Sequence, residues 1–151
     1  MRKSLSIPST LLVAFALLSS PLTHAGSPTP APMAETPAGD HTLTFEAAPT
    51  KAGELGALSL SITPKSPWKW NPEYPAKLEL VAPPGVTFDK GLLSKKNADF
   101  AESGKTVGAK AGFKATSPGT HKAIVKGKFG LCDANVCIIK KVETTATIVV
   151  N

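Results

Sequence analysis

The chain has 151 residues and a formal net charge of +6, with 17 basic against 11 acidic side chains, 14 prolines and 12 glycines. That length suits one domain. The positive charge is modest and spread along the chain, without the clustered arginines and interleaved aromatics of nucleic-acid binders, so no nucleic-acid partner is expected and the lysines read as a solvated surface that also guards sheet edges.

Arg2 and Lys3 form a short positive start, followed by the apolar run Leu11, Leu12, Val13, Ala14, Phe15, Ala16, Leu17 and Leu18. A small-residue stretch ends at Thr23, His24 and Ala25. This order of positive, apolar and small segments is that of a removable secretory signal, with cleavage expected after Ala25. The apolar run is far short of the about 20 residues that a spanning helix needs. No cysteine lies near the cut to accept a lipid, and no membrane span is expected in the mature chain. The mature protein is therefore expected in a periplasm or in the medium. Without Arg2 and Lys3 it keeps fifteen lysines against eleven carboxylates, a net charge of +4.

Residues 26–40 read GSPTPAPMAETPAGD, proline-rich and without apolar periodicity. Such a segment cannot bury enough surface to order itself and is expected to be a flexible linker. The folded domain is expected to cover residues 41–151.

From there apolar residues recur at every second position. Leu43 and Phe45 alternate with threonines, and Leu58, Leu60 and Ile62 with serines. Leu78 and Leu80 alternate with Lys77 and Glu79, and Val107, Ala109, Ala111 and Phe113 with glycines and Lys110. Ala123, Val125 and Phe129 oppose Lys122, Lys126 and Lys128, and residues 142–150 are rich in Thr, Ile and Val. Alternation with β-branched enrichment predicts half-buried strands. Turn signals separate them at Ser66-Pro67, Pro83-Pro84-Gly85, Ser103-Gly104 and Ser117-Pro118-Gly119. Residues 92–100 fit neither period and read as one helical turn or a loop. About seven short strands predict an all-β, immunoglobulin-like antiparallel β-sandwich, with a small barrel as the alternative.

The two cysteines, Cys132 and Cys137, flank Asp133, Ala134, Asn135 and Val136. Outside the cytoplasm, close cysteines oxidise to a disulfide. Asp-Ala-Asn is turn chemistry, which puts the pair at the tip of a predicted hairpin between residues 121–131 and a strand starting at Ile138. A loop this short returns only about 2 kcal/mol of closure entropy. An exposed tip is also open to a partner thiol. The spacing leaves a structural staple and a redox pair both open. Two thiols with His121 make an incomplete metal-ligand set, which leaves a soft-metal protein as a third reading. Neither G-x-S-x-G, nor a Gly-rich phosphate loop, nor paired carboxylates is present, so a hydrolase is not expected. Trp68 and Trp70 read either as a partner platform or as packing over a sheet edge, and Tyr74-Pro75 either as a turn or as part of a cap.

Two segments taken together carry a resemblance. Trp68-Lys69-Trp70-Asn71-Pro72-Glu73-Tyr74-Pro75 leads into Lys77-Leu78-Glu79-Leu80 and Pro83-Pro84-Gly85-Val86, and Lys128-Phe129-Gly130-Leu131-Cys132 follows with Cys137 beyond. Over roughly residues 41–150 this resembles the N-terminal periplasmic domain of the DsbD-type thiol:disulfide interchange proteins. The resemblance implies an immunoglobulin-like sandwich and a protein-disulfide reductase role without a cofactor. Electrons would come from a membrane reductant and go to other extracytoplasmic thiol/disulfide proteins. It implies that Cys137 attacks the partner's disulfide and Cys132 resolves the mixed disulfide. It implies an aromatic cap, for which Trp68, Trp70 and Tyr74 are the candidates. The family's cysteines are usually separated by about five residues, and these by four. The family's domain is fused to membrane and thioredoxin-like domains, whereas this chain is expected to work as a free module with a separate reductant. The competing expectation is a non-enzymatic exported β-sandwich, a binding or structural module whose disulfide is only structural.

Overall fold

The period-two alternation becomes strand nearly throughout. The computed structural model describes residues 36–151, with side chains from Gly39 onward. The expected signal, its cleavage after Ala25 and the linker up to residue 35 lie outside the described residues. In chain order the strands are β1 (Thr36–Ala38), β2 (His41–Ala47), β3 (Leu55–Pro64), β4 (Lys69–Trp70), β5 (Lys77–Val81) and β6 (Val86–Phe88). They continue as β7 (Leu92–Ser94), β8 (Phe100–Ser103), β9 (Thr106–Ala115), β10 (Gly119–Cys132) and β11 (Cys137–Val150).

These strands form two antiparallel sheets packed as an immunoglobulin-like sandwich. One sheet runs β1-β2-β3-β9-β6, with β8 also on β9, and the other runs β11-β10-β5-β7, with β4 also on β10. Each sheet turns its apolar set inward. Leu43, Leu58, Leu60, Ile62 and Phe113 from the first meet Leu78, Val125, Phe129, Leu131 and Ile148 from the second, all of them buried. Burying one such side chain stabilises the fold by about 1.5–3 kcal/mol, so this layer fixes which face of β10 and β11 points to solvent.

Among the described residues, six of the eleven strands have five residues or fewer, and short strands produce too little alternation to be read individually. They account for most of the excess over the seven strands expected from sequence. Residues 92–100, expected as a helical turn or a loop, do hold a 3-10 turn at Lys95–Asn97, but it lies between two short strands that were not expected, β7 and the start of β8. Asp99 holds this stretch together, accepting from the Ser94 N–H at 2.9 Å and from Lys90 Nζ at 2.7 Å. β1 pairs with β2 from Thr36↔Leu43 to Ala38↔His41, which brings the last residues of the proline-rich segment into the sheet.

Candidate functional site

β10 and β11 run side by side in unbroken register from Gly119↔Val150 to Cys132↔Cys137. The cysteines are the last pair of this ladder. Beyond them the Asp133 N–H donates to the Val136 carbonyl at 2.9 Å. Hydrogen-bonded and open pairs alternate along an antiparallel ladder, so Cys132 and Cys137 occupy an open pair, where the two strands come closest. Their Cα atoms are 4.0 Å apart and their sulfurs are joined in a disulfide. Cys137 is exposed and Cys132 half-buried.

The turn is built by one carboxylate. Asp133 Oδ1 accepts from the backbone N–H of Asn135 at 2.7 Å and of Val136 at 2.8 Å. The same two donors hold its carboxyl below the usual carboxylate range, because they favour the charged form. Sequence reading found the turn through Asp-Ala-Asn, and the structure assigns the work to Asp133.

Register separates the remaining candidates by face. Trp70 pairs with Leu131 and Lys69 with Cys132. Partners directly opposite point the same way. Trp70 therefore faces the core with Leu131, stacking on Phe129 at 5.8 Å between ring centroids and meeting Phe100 at 5.7 Å. Trp68 also packs against the core. Both tryptophans further line a cleft of about 280 Å³ with Pro64, Pro67, Glu102 and Lys105. Lys69 shares the outward face of the disulfide.

Tyr74 reaches that outward face by a local device. Asn71 Oδ1 accepts from the Glu73 N–H at 2.9 Å and its carbonyl accepts from the Tyr74 N–H at 3.3 Å. The Asn71 N–H in turn donates to the Gly130 carbonyl at 3.0 Å. The Asn-Pro-Glu-Tyr segment thereby folds back onto β10, directly over Gly130. A Cβ at Gly130 would lie 2.8 Å from Tyr74 Cβ and 3.1 Å from Asn71 Cβ, so only glycine admits this close approach. Lys128 Nζ stands 5.9 Å from the centre of the Tyr74 ring, within cation–π range.

Rows of register partners therefore cross the outward face. The first is Lys69, Cys132 and Cys137, and the second is Gly130 with Ile139, Tyr74 lying over the glycine. Ile139, two residues from Cys137 and on the same face, is 56% exposed, giving the disulfide an apolar border. Sequence reading missed Lys69 and Ile139. The Trp-Lys-Trp alternation already implied that Lys69 opposes the tryptophans, but which strand it would join was not visible.

His121, the third element of the metal reading, lies at the opposite end of β10 from Cys132, its Nε2 3.1 Å from the Ser117 carbonyl. The cysteines and His121 therefore do not form one ligand set. His41, at the expected domain start, is fully buried, edge-on to Phe129 at 5.1 Å between ring centroids. Its Nδ1 meets Asp40, whose other carboxylate oxygen pairs with Lys140 on β11. Burial raises Asp40, but the hydrogen bonds from Lys140 and His41 outweigh it and leave the carboxyl below its usual range. This polar link ties the first sheet to the strand that carries Cys137.

No protein-family profile and no curated protein matches the chain. Among solved structures, the GAE domain of GGA2p from Saccharomyces cerevisiae is similar with a TM-score of 0.48 at 8% identity, over 76% of this chain and 97% of that one. The GAE domain of yeast GGA1 gives 0.44 at 14% identity over 76% and 98%. AggA, the major subunit of aggregative adherence fimbriae type I from Escherichia coli, gives 0.35 at 13% identity over 75% and 97%. Likeness at this level says nothing about what the chain binds or does.

Proposed function

We propose that this chain is an exported thiol:disulfide exchange module that works through Cys132 and Cys137. The observation that carries the reading is the placement of the disulfide. It closes the open last pair of a hairpin whose strands are already held in register by thirteen further pairs, and it presents Cys137 to solvent. A staple contributes most where it closes a long loop, and this one closes about the shortest a hairpin allows. Reaction with a partner thiol needs an accessible sulfur, which this position offers. The resemblance to the DsbD-type N-terminal domain supports the same reading.

In the reduced state the Cys137 thiolate attacks one sulfur of a partner protein's disulfide. A mixed disulfide forms and the partner's first thiolate leaves. The Cys132 thiolate then attacks Cys137 Sγ, re-forming the Cys132–Cys137 bond and releasing the partner's second thiolate. Two electrons pass to the partner. A separate extracytoplasmic dithiol, soluble or held by a membrane reductant, must restore the pair.

The reading predicts that Cys132→Ser, mixed with a disulfide-bonded peptide, accumulates a mixed disulfide through Cys137, visible by intact mass. Cys137→Ser should accumulate far less. Equal trapping by both variants, or by neither, contradicts the assignment. The firm Asp133 turn favours a second reading, a binding or structural β-sandwich whose disulfide only secures the tip. That reading predicts no trapping, and retention of any stable partner by a Cys132→Ala/Cys137→Ala variant.

A further inference from the structure

Beyond the apolar border of the disulfide, the next row of register partners on the same outward face is Lys77, Lys128 and Lys141, side by side on β5, β10 and β11. No carboxylate interrupts it, and on β7 it continues as Ser94. The row after it is mixed, with Lys126 between Glu79 and Glu143 and an ion pair from Lys126 to Glu143 at 3.8 Å. Among the described residues, Lys69, Lys77 and Lys141 take part in no ion pair. Like charges directly opposite on neighbouring strands repel and destabilise a sheet. The fold thus carries a self-repelling row of three lysines beside a row in which two carboxylates flank one lysine.

From this geometry we infer the partner surface: a protein face on which carboxylates surround the exchangeable disulfide. The inference rests on the exchange reading above. Four residues of strand separate the lysine row from the cysteine row, roughly 14 Å at 3.4 Å per residue. That distance falls within the footprint of an ordinary protein–protein contact. Ile139 and the Tyr74 ring supply an apolar centre, and Lys69 with the lysine row supplies a cationic rim. Such a rim steers an acidic partner and repels a basic one. A second copy of this face carries the same lysines and is disfavoured as the occupant.

The test uses three disulfide-bonded peptides of one length, differing in residues placed four positions from the cysteines: Glu, Gln or Lys. The reduced full-length chain is mixed with each, and every rate is divided by that of dithiothreitol with the same peptide, which removes differences in peptide reactivity. At low ionic strength the Glu peptide should react about tenfold faster than the Lys peptide, the modest end of electrostatic steering. At high salt the gap should close. A Lys77→Glu/Lys141→Glu variant should reverse the order. Equal rates for all three peptides, or an unchanged order in the variant, overturn the acidic-partner inference and leave exchange standing. Failure of the chain to react with any peptide, Gln included, overturns the exchange reading itself and this inference with it.

Discussion

Gly130 and Asp133 lie on either side of Cys132, and each does a job open to few other residues. Gly130 lets Tyr74 and Asn71 close on the strand, since an added Cβ would lie 2.8 Å from Tyr74 Cβ. Gly130→Ala should displace Tyr74 and destabilise the fold by about 1–3 kcal/mol, the usual range for overpacking. Denaturant midpoints give the energy, and the near-ultraviolet circular dichroism of the tyrosine reports the displacement; an unchanged spectrum would argue against the contact. Asp133 organises the turn through its charged carboxylate. Its folded value is depressed, so its contribution is complete above the unfolded value of about 3.9. It is lost as pH falls through the lower folded value. The Val136 amide should therefore lose hydrogen-exchange protection on acidification below about pH 4, and Asp133→Ala should lack that protection at neutral pH. A Val136 amide equally protected in both proteins would show that the turn does not need the carboxylate.

At the scale of elements, the hairpin of β10 and β11 holds itself together. Replacing both cysteines by alanine should cost no more than about 2 kcal/mol, read from denaturant unfolding with the native pair oxidised; a loss of 4 kcal/mol or more would mark the bond as a principal staple. The long strands were legible in the sequence because alternation over Leu58, Leu60 and Ile62, or over Ala123 and Val125, leaves one consistent face. So were the turns: Pro83-Pro84-Gly85 closes with the Val86 N–H on the Pro83 carbonyl at 3.1 Å, and Gly85 takes φ 80°, the glycine position of a type II turn. β4, with only Lys69 and Trp70, was not legible, because a two-residue strand exists only by virtue of its partner. For that reason the sequence placed Trp68, Trp70 and Tyr74 together as cap candidates. Pairing to β10 instead sends Trp70 to the core and leaves Tyr74 and Lys69 on the face of the disulfide. Residues 92–100 escaped because their order depends on Asp99 reaching Lys90 and the Ser94 amide, a tertiary arrangement without a periodic signature.

For the whole molecule, the two sheets are joined by the apolar layer and by the polar link of His41, Asp40 and Lys140. Asp40 is depressed in the folded state despite its partial burial. Its contribution is thus present above the unfolded carboxylate value and disappears as pH falls through the folded one. An Asp40→Asn variant should be less stable than the parent at neutral pH, and the two unfolding curves should converge on acidification below about pH 4. A constant difference across that range would mean that the carboxylate's charge is not what matters. This link also bears on function, because Lys140 belongs to the strand that begins at Cys137.

Whether the Cys132–Cys137 pair is exchangeable is tested most directly by its reduction potential. Equilibration of the full-length protein against glutathione or dithiothreitol buffers, read by alkylation and intact mass, should give a value above about −270 mV, in the range of thiol:disulfide exchange proteins. A value below about −300 mV, where structural disulfides of exported proteins lie, would contradict the account and leave the bond as a staple at the tip of the hairpin.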